Sequence, residues 1–125
     1  MIRLIMILVW AFLWDSSFSC PINHRDRLTG VDDRLVEALE AAACDYTITI
    51  TEGVRKPERQ QILFDEGKSW TLDSRHLTGN AVDVYLGTWS LEPYQKLCTD
   101  LRAHNPVIMC GCDWKQVDCV HFELP

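Results

Sequence analysis

The sequence predicts an α+β domain, a small antiparallel β-sheet with helices packed on it, and three observations carry that expectation. Helix-like and strand-like patterns interleave along the chain without a strict βαβ rhythm and without a repeat. A chain of 125 residues has room for one core and no second. Its hydrophobic fraction of 47% and charged fraction of 24% are those of a folded globular protein.

Residues 1–19 stand apart from the rest. Arg3 precedes an uncharged apolar run, Leu4 to Trp14, after which the chain turns small and polar, with Ser17 and Ser19 placed for cleavage before Cys20. The run is too short for a comfortable membrane span, which takes about 20 residues. It reads as a signal peptide; the other readings are an uncleaved N-terminal anchor and a lipidated Cys20, the last ranked behind because Ser17 stands where an aliphatic residue is usual. Export to the periplasm or beyond follows, with residues 20–125 as a single domain. Loss of Arg3 and Asp15 together leaves the net charge at −6. An acidic chain without a basic run offers no footprint for nucleic acid. Membrane contact is expected only if the first segment is retained, and the domain is expected to be a monomer.

The elements follow in order. Thr29 to Asp32 fits a capping box ahead of "VDDRLVEALEAAAC", where Val31, Leu35, Ala38, Leu39 and Ala42 recur at helical spacing. "YTITITEG", 46–53, alternates with period two and is rich in β-branched residues, so it predicts a strand. Pro57 at a first turn opens a second helix that Gly67 closes. "AVDVYLG", 81–87, is a second strand. "SLEPYQKLCTDLRAHN", 90–105, is a third helix with Leu91, Tyr94, Leu97, Cys98 and Leu101 on one face, stopped by Asn105-Pro106. "VIM" and "VHFEL" predict short strands on either side of the loop "CGCDWKQVD".

Six cysteines, Cys20, Cys44, Cys98, Cys110, Cys112 and Cys119, form an even set that in an oxidising compartment reads as disulfides. Only a Cys110 to Cys112 bridge is set aside, because so small a ring in a strand-like segment is strained. The pairing is otherwise open. Free buried thiols in a reducing compartment are the plain alternative.

Three polar features call for chemistry: His76 with Asp83 in "SRHLTGNAVD", Asp118 with His121 in "DCVH", and Arg55. A catalytic zinc takes three imidazole or carboxylate ligands and keeps a position open for water. His76, Asp83 and His121 would supply two nitrogens and one oxygen to one zinc per chain, with Gly79 and Ala81 letting the backbone turn between the first two. Asp118 would take a proton from the attacking water and pass it to the leaving amine. Arg55 would face the oxyanion or hold a substrate carboxylate in a bidentate pair. Each piece alone is cheap, since a loop histidine or arginine is usually a surface residue. A rival site, Cys110, Cys112, Cys119 and His121 around a structural zinc, lacks the usual C-x2-C spacing.

Taken together, "SRHLTGNAVDV", "DWKQVDCVHFEL" and the upstream "ITEGVRKPERQ…LFDEGKS" resemble the peptidoglycan zinc peptidases that include D-alanyl-D-alanine carboxypeptidases and L-alanyl-D-glutamate endopeptidases. The resemblance runs from Leu28 to Pro125. It implies that His76, Asp83 and His121 hold the zinc, that Asp118 is the catalytic base, and that Arg55 steadies substrate and transition state. It also singles out Ser74, as a hydrogen-bonding partner or a hydroxyl capping the loop. Trp114 would line the cleft or pack in the core, and Glu123, two residues beyond His121 on the same strand face, would orient a ligand or sit as a rim charge. Trp70 and Trp89 are read as core or rim.

The chain departs from its relatives at Arg75, at Cys119-Val120 and at Glu52, where a serine is common. Arg75 has no account from the sequence. The implied substrate is a peptidoglycan stem peptide, cut by carboxypeptidase or endopeptidase action, in wall remodelling or in endolysin-like phage lysis. The other class of function is a zinc-bearing binding module without catalysis, as in the related hedgehog signalling domain; the presence of base and ligands together favours the enzyme.

Overall fold

The structure, a computed structural model, describes residues 19–125. The expected signal segment, but for Ser19, lies outside the described residues. Strand β1 (Ile22–Asn23) leads through a 3-10 turn at Arg25–Leu28 into helix α1 (Asp33–Ala42). Strand β2 (Ile48–Glu52), helix α2 (Pro57–Asp65) and a 3-10 turn at Arg75–Thr78 follow. Strand β3 (Ala81–Tyr85), helix α3 (Leu91–His104), strand β4 (Met109–Cys110), a 3-10 turn at Gly111–Asp113 and strand β5 (His121–Glu123) complete the chain. Among the described residues, no helix is long and apolar enough to cross a membrane.

The class is α+β, and the five strands form one sheet in the order β1-β2-β3-β5-β4. The sheet is mixed rather than antiparallel throughout, because β1 pairs with β2 in parallel, Ile22 opposite Ile48. A parallel neighbour needs a long crossover, and α1 with its flanking turns supplies it. Residues 22–23 carry no strand signal in the sequence, since two residues are too few for a period to show.

Helix α1 forms where Leu35, Ala38, Leu39 and Ala42 recur on one face, and all four are buried. Its cap is Asp32, whose Oδ1 accepts from the Arg34 amide at 2.9 Å. The expected capping box does not form, since the Thr29 hydroxyl turns back to the Asp26 carbonyl. Val31 lies before the helix but is buried all the same. Helix α3 buries Tyr94, Leu97, Cys98 and Leu101 against α1 and the sheet. Leu91, expected on that face, is exposed, because it sits in the first turn before the helix reaches the core.

Period two sorts the central strands. Val82 and Val84 of β3 and Phe122 of β5 face the core, together with Ile48 and Ile50 of β2 and Leu124 just beyond β5. The intervening residues, Asp83 opposite His121 and Ala81 opposite Glu123, therefore share the other face. Strand β2 breaks this rule in one place. Ile50 pairs with Val84 but Glu52 pairs with Asp83, so a register shift turns Glu52 to the face opposite Ile50.

All six cysteines are paired, Cys20 with Cys44, Cys98 with Cys110 and Cys112 with Cys119. The rival Cys3His site is thereby overturned, because thiols joined in disulfides are not available as thiolate ligands.

Candidate active site

Glu52, Asp83, His121 and Glu123 present their side chains from three adjacent strands to one cleft of about 460 Å³, whose other walls are the 68–76 loop and the 114–118 loop. The turn at Arg75–Thr78 brings His76 to the same floor. Ser74 caps that turn, its Oγ accepting from the His76 amide at 3.2 Å. Gly79 ends it at φ 77°, a left-handed conformation, with its missing Cβ pressed on the Gly30 carbonyl. Any side chain there would clash with the Gly30–Val31 backbone and displace the turn.

His76, Asp83 and His121 each direct one ligand atom into a common space, all within 4.8 Å of one another. His76 is 1% exposed, and its Nδ1 lies 2.8 Å from the Gly53 carbonyl. A carbonyl only accepts, so Nδ1 is the donor and Nε2 is the nitrogen turned to the cleft. That Nε2 approaches Asp83 Oδ1 to 3.2 Å without the alignment of a hydrogen bond. Among the described residues it is the buried side-chain nitrogen or oxygen that has no hydrogen-bond partner. His121 is held on both sides, with Nε2 hydrogen-bonded to Glu123 Oε1 at 2.8 Å and Nδ1 to Asp83 Oδ1 at 3.0 Å.

Electrostatics follow from that crowding. Burial alone would raise the Asp83 carboxyl, but the two imidazoles beside it outweigh burial and hold it well below the usual carboxylate range. Burial likewise works against charging His121, yet Asp83 and Glu123 on its two sides push it up. Asp118 behaves in the opposite way. It is half-buried beside Asp83 and makes no side-chain hydrogen bond among the described residues, and burial followed by that like charge pushes its carboxyl up. Its backbone is fixed, since the Asp118 amide donates to the Gly111 carbonyl at 2.9 Å. A Cβ on Gly111 would fall on the Asp118 carbonyl oxygen, so the loop closes only around a glycine.

Arg55 is 8% exposed and largely committed. Nε and Nη2 donate to the two oxygens of Glu52 at 2.9 and 2.7 Å, and Nη1 donates to Gln60 Oε1 at 2.8 Å. Two of its five N–H groups are left over, and Nη2 lies 3.8 Å from Asp83 Oδ2. Gln60, the buried residue of α2, passes the restraint on to the cleft wall by donating to Ser69 Oγ and the Thr71 carbonyl. The sequence reading missed Glu52 and Gln60 as members of the site. The signal for Glu52 was its departure from serine; for Gln60, buried on an otherwise exposed polar helix, there was none.

Trp114 lines the cleft, its ring 4.9 Å from that of His121. Trp70 stands at the rim, 61% exposed, and Trp89 lies outside the core, stacked on Tyr85. Arg75 projects over the mouth, its Nε 3.7 Å from Glu123 Oε2.

No family model and no curated protein matches the chain. Solved structures do. The L-Ala D-Glu endopeptidase ChiX of Serratia marcescens superposes with a TM-score of 0.75 and 29% identity, over 89% of this chain and 94% of that one. The chain is thus similar in fold and in part of its sequence to an L-Ala D-Glu endopeptidase. VanYB, solved in complex with D-Alanine-D-Alanine, gives a TM-score of 0.56 at 17% identity over 89% of this chain and 80% of its own. A vancomycin-resistance D,D-pentapeptidase VanY, solved with Zn(II), gives 0.55 at 19% over 86% and 75%. These two share the peptidase fold with the chain.

Proposed function

We propose that the chain is an exported zinc peptidase that hydrolyses the stem peptides of bacterial peptidoglycan, with residues 20–125 as its one catalytic domain. The observation that carries this reading is the convergence of three electron-pair donors, His76 Nε2, His121 Nδ1 and an Asp83 oxygen, whose other ring nitrogens are already given to a carbonyl and a carboxylate. His76 Nε2 is buried and turned to that space without a hydrogen-bond partner among the described residues, as an atom waiting for a cation would be. Two nitrogens and one oxygen suit zinc, and the partners behind both imidazoles are those that orient metal-binding histidines. ChiX supports the substrate class, and the zinc and D-Alanine-D-Alanine of the VanY structures agree with it. The three disulfides suit an oxidising compartment.

Zinc held by these residues would supply Lewis acidity, polarising the scissile carbonyl and making water nucleophilic near neutral pH. Asp118, without a side-chain partner among the described residues and with its carboxyl pushed up, takes the proton of the attacking water and returns it to the leaving amine. Arg55 turns its two uncommitted N–H groups to the developing oxyanion, held still by Glu52 and Gln60. Trp114, its ring 4.9 Å from that of His121, forms an apolar wall beside it.

Incubating the zinc-loaded protein with purified peptidoglycan and identifying released ends by mass spectrometry tests the reading. New termini within the stem peptide, abolished by a chelator, are expected, and their identity distinguishes D-Ala–D-Ala from L-Ala–D-Glu cleavage. Intact stem peptides after prolonged incubation would overturn it.

A further inference from the structure

Three cationic side chains line the cleft, Arg55, Lys68 and Arg75, and they differ in what holds them. Arg55 is clasped by Glu52 and Gln60. Lys68 pairs with Glu66 at 2.9 Å, away from the cleft floor. The Arg75 guanidinium makes no hydrogen bond among the described residues; its nearest anion is Glu123 Oε2 at 3.7 Å, and the other oxygen of that carboxylate belongs to His121. With Arg75 half exposed, a pair at that distance is weak. The base of Arg75 is nonetheless fixed, because its carbonyl accepts from the Asn80 amide at 3.0 Å and its neighbour His76 is buried in the site. A rigid base with an uncommitted head at the mouth of a cleft is the arrangement of a binding group.

We propose that Arg75 is a specificity-determining residue that binds a free carboxylate carried on the substrate carbon next to the scissile nitrogen. The sequence offered two roles for Arg55, facing the oxyanion or clasping a carboxylate; with its fork filled by Glu52, the second role falls to Arg75. The proposal rests on the peptidase reading above. Both bonds at issue, D-Ala–D-Ala and L-Ala–D-Glu, leave an amine whose adjacent carbon bears such a carboxylate. Converting it to a carboxamide keeps the shape and removes the charge. Arginine suits the task because its planar fork meets a carboxylate with two parallel bonds.

The test compares each of the two peptides as free acid and as carboxamide on the zinc-loaded protein, with wild type, Arg75→Gln and Arg75→Lys. The acid should show a KM about ten- to hundred-fold below that of the amide in the wild type, the span of one charge-assisted contact. Arg75→Gln should close that gap by weakening the acid alone, and Arg75→Lys should restore part of it. Equal KM values for acid and amide in the wild type, or an equal loss on both in Arg75→Gln, would overturn the proposal. If neither peptide is cut, the peptidase reading falls, and equilibrium binding of the same peptides decides the role of Arg75. An acid preference that Arg75→Gln abolishes supports it, and indifference to the charge sinks it.

Discussion

His76 and His121 each turn one nitrogen to Asp83 and give the other away, so metal content is the measurement that separates their work from that of Asp118. His76→Ala should purify with little zinc, and stoichiometric zinc in that variant would remove His76 from the ligand set. Asp118→Asn should keep its zinc and lose about 10²- to 10⁴-fold in turnover, the usual contribution of a positioned acid–base group. Wild-type rates on purified wall would end the assignment. Residue types and spacing brought His76, Asp83, Asp118 and His121 into consideration, and the structure places all four in one candidate cleft. Glu52 and Gln60 were not legible in the sequence, since a polar side chain in a strand or helix advertises a solvated surface until tertiary packing shows otherwise.

The elements were legible where a period had room to run. Helices α1, α2 and α3 and strands β2 and β3 follow their patterns, with ends displaced by a residue or more. Strand β1 is too short for a pattern, and the register shift in β2 reverses a face that strict alternation would have given Glu52. Asp32 shows how a cap is misread, since several acceptors precede the helix and only geometry chooses among them. Asp32→Ala should cost about 1 kcal/mol in urea unfolding; an unchanged midpoint would mean that the cap is idle. Glu52 gives a pH prediction at the end of β2. Burial would raise its carboxyl, but the hydrogen bonds from Arg55 and Arg59 outweigh it and the folded value is depressed. Its contribution to stability is therefore full above the unfolded value near ~4.3 and is lost as pH falls through the lower folded one. In metal-free protein, Glu52→Gln should flatten the acid limb of stability from about pH 5 downward. An acid limb of wild-type steepness would exclude it.

For the molecule as a whole, the α+β class was readable, and so was the presence of disulfides, whereas their connectivity was not. Cys20–Cys44 ties the start of the described chain to the end of α1, Cys98–Cys110 ties α3 to β4, and Cys112–Cys119 closes the loop that bears Asp118. Such pairings depend on which segments meet in space, and no spacing along the chain encodes that. The donors of the candidate metal site are drawn from equally distant places, a turn and two neighbouring strands. A cation held there would be a fourth cross-link, and unlike sulfur bridges it would respond to a chelator within one buffer. Stability should then rise by about 1.4 kcal/mol for every tenfold excess of free zinc over its dissociation constant. With zinc held there, the melting temperature of the protein would become a gauge of zinc supply, and zinc-poor protein would open more readily to proteases.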